Sequence, residues 1–290
     1  MSPAGPVAAI LNSCLWRELN PKHRSHLLIL GCCAGAFGVV LAARLPEGGN
    51  LTEAAPPALN AAVMLFLSWA IAREIDPDFG RSAFVAAGVG AMILLGGSAP
   101  AGAAVGVLLA LRIAGRSTGR HPAPIDLVAV PVLAAAFAWL PRGWIGGVAM
   151  AAALVWDTFL PDPGTRRNYY SAAAALAVTV WVSVLRDTLE LGFELNGIWA
   201  PAVAVGAGIA SAATRPYIPR SRADRTQAPI NPDRMQAARA LTLGSCLAAL
   251  ACFGTGAVPL LIGAWAALIG VGIHDRIGRS QVPPAAGPGG

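Results

Sequence analysis

The chain has 290 residues, of which 56% are hydrophobic and only 12% charged, with a formal net charge of +6. Soluble domains carry about a quarter charged residues, so this composition excludes an ordinary water-soluble globule. The basic residues are spread over short connections between apolar blocks of roughly 15 to 20 residues, a pattern that suits a bilayer rather than a nucleic acid.

Taken in chain order, the basic group Arg17, Lys22 and Arg24 precedes the first long apolar run. A cleavable signal has its charges first and a small-residue cleavage site after, so residues 26–43 are expected to form an uncleaved first span. Residues 6–16 are expected in the membrane interface. Further spans are predicted near 56–72, 82–98, 99–114, 125–140, 143–160, 169–185, 197–213, 237–254 and 256–273. The fold class is therefore all-α, a polytopic transmembrane helix bundle of about ten spans. Residues 1–25 form a cytoplasmic N-terminal segment, 26–273 the helical domain and 274–290 a disordered cytoplasmic tail. The third and fourth spans are divided only by a short Gly-Ser-Ala-Pro linker, Gly97 to Pro100, so residues 82–114 also fit a re-entrant hairpin.

Basic residues collect in the cytoplasmic loops of membrane proteins. With ten crossings, all 21 basic residues except Arg44, Arg142 and Arg186 fall on one side, together with both termini. This orientation predicts the cytoplasmic membrane as the location, with arginines meeting anionic headgroups. Residues 214–236, rich in Arg and Pro, read as a mobile cytoplasmic loop. Gly31 and Gly35, Gly102 and Gly106, and Gly143 and Gly147 have the spacing of close helix contacts. On the other side, Asp187, Glu190 and Glu194 read as a solvated acidic face. The five cysteines lack a CxxC pair and read as free thiols, and the four histidines lack acidic partners for a metal.

No charged residue falls in the middle of a predicted span, where a proton or ion relay would be sought. Arg112, Asp126 and Asp157 lie within about a turn of span ends, from which a side chain can reach the interface. Chemistry is therefore sought in two cytoplasmic loops. One is Arg73-Glu74-Ile75-Asp76-Pro77-Asp78-Phe79-Gly80-Arg81; the other runs from Asp157 through Pro161-Asp162-Pro163-Gly164 to Arg166 and Arg167. Both contain Pro-Asp-x-Gly followed by Arg, four spans apart, which hints at a duplicated four-helix unit. If the loops share a cavity, Glu74, Asp76, Asp78, Asp157 and Asp162 are candidate ligands for Mg²⁺ bridging a diphosphate, with Arg81, Arg166 and Arg167 as phosphate partners. The alternative is helix punctuation: Asp76 and Asp162 capping the next helix, Glu74 and Asp78 pairing with Arg73 and Arg81, and Asp126 meeting a helix N-terminus.

The two acidic loops, with Glu74-Ile75-Asp76 after the second span, resemble those of the intramembrane prenyltransferases. That resemblance implies a Mg²⁺-dependent enzyme acting on a lipid diphosphate. The family's first motif opens with Asn-Asp, where this chain has the apolar stretch Ser68-Trp69-Ala70-Ile71-Ala72. The layout also resembles the ten-span drug/metabolite transporters, two inverted halves of five helices, with the divide here between Leu140 and Gly143. The expected function is transport of a small molecule or lipid-related compound. A lipid-diphosphate enzyme and a non-catalytic membrane assembly protein are the alternatives. Residues of a catalytic site are not assigned, and Mg²⁺ belongs only to the enzyme reading.

Overall fold

The computed structural model describes residues 13–17, 19, 23–45, 50–95, 97, 100–189, 191–193, 199–216 and 218–278. Among them are eleven helices and no strand. In chain order these are α1 (Arg24–Arg44), α2 (Leu51–Ile75), α3 (Gly80–Leu94), α4 (Gly102–Gly115), α5 (Pro124–Ala138), α6 (Trp144–Asp157), α7 (Arg167–Leu185), α8 (Trp199–Ala212), α9 (Pro232–Phe253), α10 (Ala257–Leu260) and α11 (Ile262–Gly278). Each predicted span contains a helix, and the last is broken at Leu261. Four helices, α1, α2, α7 and α9, are long and apolar enough to cross a membrane; α3 to α6 and residues 262–274 are shorter apolar helices.

Local sequence explains the helix ends. The Asn50 side chain accepts the Glu53 N–H at 3.0 Å to start α2, and Asn231 accepts from Asp233 and Arg234 to start α9, with Pro232 in the first turn. Asp126 accepts the Ala123 N–H at 2.8 Å, so its expected place at the start of α5 is met. The expected caps at Asp76 and Asp162 are not formed. Asp76 follows the last residue of α2, and Phe79 and Arg166, which hold the cap positions of α3 and α7, make no side-chain cap. The reason is position: Asp76 and Asp162 lie upstream of the cap positions, Phe79 and Arg166, too early to reach the first turn.

The helices close on small residues. Gly106 of α4 lies against the Gly146 backbone of α6, and Gly270 of α11 against Ala86 of α3, so closely that a Cβ at either glycine would overlap the neighbour. Gly102, Gly143 and Gly147 are likewise crowded, whereas Gly31 and Gly35 meet nothing within 4 Å. Helix α11 packs on α3, α2 and α8; α4 on α6 and α9; α5 and α6 on α7; and α1 mainly on α2. Outward faces stay apolar, with Leu95 90% and Val39 71% exposed, as lipid-facing surfaces are. In α1 only Ile29 is buried.

Apart from the four-residue α10, successive helices alternate in direction. The ends of α2, α4 and α6 and the starts of α3, α5, α7 and α9 meet at one polar end of the bundle. His26 of α1 stacks edge-on to Trp69 there, and Phe79 lies 4.5 Å from the His274 ring of α11. At the opposite end Arg142 sits over the Phe253 ring at 5.1 Å and Arg186 over Trp139 at 4.0 Å. Gly102, which opens α4, lies at that opposite end beside Leu140. Helices α3 and α4 therefore run away from the polar end and back to it.

Candidate functional site at the polar end

Two buried carboxylates organise the polar end. Glu74, in the last turn of α2, is 2% exposed, and its Oε1 accepts from Arg17 and from Arg112 of α4, both at 3.1 Å. Oε2 has no hydrogen-bond partner among the described residues. Asp157, which ends α6, is fully buried. Its Oδ1 accepts from Arg116 Nε at 3.1 Å and Arg234 Nη1 at 2.7 Å, and its Oδ2 from Arg116 Nη2 at 3.0 Å and Asn168 Nδ2 at 2.9 Å. A buried carboxylate pays a desolvation cost that only such charge-assisted bonds offset.

Helix α4 serves both centres, and α9 joins Asp157 to the end of α2. From α4, Arg112 turns to Glu74 while Arg116, four residues later, turns to Asp157. Arg116 can do so because it leaves the helix in the left-handed conformation, φ 46°. From α9, Arg234 reaches Asp157, and Arg239 donates through Nε to the Ile75 carbonyl at 2.8 Å, with Asp76 Oδ1 3.9 Å from its Nη2. Arg239 is fully buried, and Arg234 also binds the carbonyls of Pro161, Asp162 and Ala114. Arg112, Asp126 and Asp157 lie at the polar ends of their helices, as expected. They are turned inward, because paired burial satisfies them more fully than a stretched side chain would.

The remaining carboxylates are placed separately. Asp162 is exposed, in a left-handed conformation, and pairs at 2.8 Å with both Arg116 Nη1 and His121 Nε2. Asp78 accepts the backbone N–H of Arg220 at 2.9 Å and of Ser221 at 2.7 Å. Arg81, Arg166 and Arg167 are exposed. The expected pairs of Glu74 with Arg73 and of Asp78 with Arg81 are thus replaced by contacts from distant segments. Among the described residues no group of three His, Cys, Asp or Glu side chains converges as a metal site would require. Drawing Glu74 and Asp157 together around Mg²⁺ would also strand their arginines, so this donor set does not fit the ion.

Two segments read from sequence as surface are docked. Residues 13–17 are not helical and lie across the polar end. Ser13 Oγ and the Cys14 N–H both donate to Asp126, and the Leu15 carbonyl accepts from Arg112 at 2.6 Å. Arg17 pairs with Asp224 at 2.6 Å as well as Glu74. Burial draws the Arg17 guanidinium toward losing its proton, but those two carboxylates outweigh it and hold the group above its ordinary value. Burial, reinforced by the Asp126 charge, pushes the Cys14 thiol well up. The segment at 214–236 is held by Asp78, by Asp224 N–H to the Ser117 carbonyl at 3.1 Å, and by the start of α9 at Pro232. All five cysteines are free. Glu190, Glu194, residues 1–12 and the tail from 279 lie outside the described residues.

Below Glu74 lies a cavity of about 400 Å³. Its polar wall comprises Arg17, Arg73, Arg112, Glu74 and His26, with Trp16 and Trp69 beside them, and its apolar wall comprises side chains of α2 and α4 from Leu67 to Val63 and from Leu109 to Val105. From Arg73 to Val63 is ten residues of helix, roughly 15 Å, which reaches the midpoint of α2. The cavity lies beside α1, within the first five helices, and not between the two expected halves. No family model, curated protein or solved structure matches the chain. The functional reading therefore rests on this geometry alone.

Sequence reasoning missed Arg17, Arg112, Arg116, Arg234, Arg239, His121 and Asn168 as site residues. One signal was available: Arg112 and Arg116 are four apart on the end of an apolar helix, where two charges need partners.

Proposed function

We propose that this chain is a multi-pass protein of the cytoplasmic membrane that crosses it ten times, with both ends on the cytoplasmic side, and that it transports a small lipid-related compound. The observation that carries the transport reading is the cavity, charged at the polar end and apolar down to mid-helix, beside a helix that packs mainly on one neighbour. A charged rim above an apolar slot suits a molecule with a polar head and a hydrocarbon chain. The alternating helix directions and the arginine-rich polar end support the ten-crossing topology, with that end cytoplasmic. Arg142 and Arg186, held on aromatic rings at the opposite end, fit the outer side.

The test is bleaching by dithionite of NBD-labelled lysophospholipids, zwitterionic and anionic, in proteoliposomes. Transport predicts bleaching beyond the outer-leaflet fraction with the purified protein, and slower bleaching with Leu109→Trp, which fills the slot. Bleaching that stops where protein-free vesicles stop would exclude the reading. Topology is tested by single cysteines at 166 and 142 in a cysteine-free background: a membrane-impermeant maleimide should reach position 142 in intact cells and position 166 only after lysis.

A further inference from the structure

We propose that the cavity's ligand is an amphiphile with an anionic head, a phosphomonoester or a carboxylate, its head on Arg73 and its chain between α2 and α4. This assignment rests on the reading of the cavity as the working site, and it names the class of compound.

Among the described residues the charges of the polar wall do not balance. Arg17 and Arg112 share one carboxylate oxygen of Glu74, and Arg17 is also bound by Asp224. Arg73 has neither. Its one hydrogen bond among the described residues is a long one, 3.4 Å to the Pro77 carbonyl, and no described carboxylate lies within ion-pair distance. Arg73 is half-buried, and the Arg17 charge repels it while Asp224, Glu74 and Asp76 attract it. A half-buried cation without a counter-ion is unfavourable, and an anion seated on it removes both the desolvation deficit and the repulsion from Arg17. The planar guanidinium offers paired donors to a phosphate or carboxylate.

The rest of the cavity sets the shape of that anion. Below the arginines the lining is Phe66, Leu67, Val63, Leu108, Leu109 and Val105. A free phosphate would leave this wall uncovered, whereas a chain attached to the anion fills it. Trp16 and Trp69 stand at the level of the head, where aromatic rings with one polar edge suit the boundary between head and chain. The sole acidic residue among the described lining, Glu74, is already engaged by two arginines, so the site favours a negative head over a positive one.

The experiment is saturation binding of tritiated lauroyl lysophosphatidate to the full-length protein in a non-ionic detergent, read by scintillation proximity. Unlabelled monolauroylglycerol, which has the same chain and no charge, and inorganic phosphate are the competitors. The lysophosphatidate should bind saturably, and monolauroylglycerol should compete about tenfold or more weakly, the worth of a charge-assisted contact. Inorganic phosphate should not compete at comparable concentration. Arg73→Gln should weaken binding by about the same factor with an unchanged melting temperature, because Arg73 holds no ion pair among the described residues. Leu109→Trp should abolish binding from the apolar side, and the exposed Arg166→Gln should leave it intact. Equal competition by monolauroylglycerol, full affinity in Arg73→Gln, or phosphate competing as well as the lysophosphatidate would each overturn the assignment. Anion-selective binding without bleaching in the vesicle assay would remove transport and keep the ligand class. Bleaching of zwitterionic and anionic probes alike would keep transport and remove the ligand class.

Discussion

Replacing Asp157 by Asn tests whether the polar end is held by buried charge. The amide keeps the size of the side chain but removes its charge, and it points an N–H₂ at donors already aimed at that position by Arg116, Arg234 and Asn168. Breaking a buried ion pair from one side costs about 3–5 kcal/mol. Here the stranded arginines keep other acceptors: Arg116 retains Asp162, and Arg234 retains three backbone carbonyls. The expected loss is therefore at the low end, about 3 kcal/mol. For a chain of this size that lowers Tm by roughly 6–12 °C. The assay is a melt of the detergent-purified protein followed by size-exclusion chromatography. Asp157→Asn combined with Arg234→Met should cost less than the sum of the single changes by about 1 kcal/mol or more, because the second change removes the stranded charge. The exposed Arg166→Gln serves as the control, expected within about 0.5 kcal/mol of the parent. Asp157→Asn melting with that control, or strict additivity in the double variant, would refute the reasoning.

Gly164→Ala should destabilise by about 1–3 kcal/mol in the same melt, since a Cβ there would overlap the Asp157 carboxylate and the Asn168 amide. Gly106→Leu should prevent α4 from seating on α6, and its loss of a monodisperse elution peak is the readout. The Cys14 thiol, held up by burial and by Asp126, should resist alkylation at pH 8 in the folded protein and react once guanidinium unfolds it. Its raised value also sets a sign: stability is unaffected below about pH 8.5, where the unfolded thiol keeps its proton. Above that, the unfolded state releases a proton that the folded state retains, so the melting temperature should fall. Alkylation of folded Cys14 at the rate of the unfolded chain would contradict the docking of residues 13–17.

The helices were legible because lipid demands long apolar runs and each run leaves a compositional mark. The pairing of Gly106 with Gly146 was half legible. Spacing drew attention to Gly102 and Gly106, but it gave equal weight to Gly31 and Gly35, which touch nothing within 4 Å. The acidic loops were correctly singled out as the charged ends of α2 and α6, yet their partners were not. Neighbouring arginines, Arg73, Arg81, Arg166 and Arg167, are the natural choice from sequence. The arginines that serve Glu74 and Asp157 come from α4, α9 and the segment before α1, between 38 and 77 residues away. Only the packing of helices decides such a choice, and local spacing carries no record of it. The docking of residues 214–236 was hidden for a similar reason. Its composition is that of a free loop, but Asp78 and Ser117 supply partners for its backbone.

The crossed arginines of α4 and α9 have a mechanical consequence. Each helix ties the end of α2 to the end of α6, so separating these ends would break several buried ion pairs and hydrogen bonds together. Among the described residues the opposite end is joined by apolar packing, by two cations on aromatic rings and by the Thr188 hydroxyl on the Ala138 carbonyl, a looser set than the arginine network. Any rocking of the bundle should therefore pivot about the arginine-bound end and spread at the far one. The charged rim of the cavity would then stay rigid while its apolar floor widens.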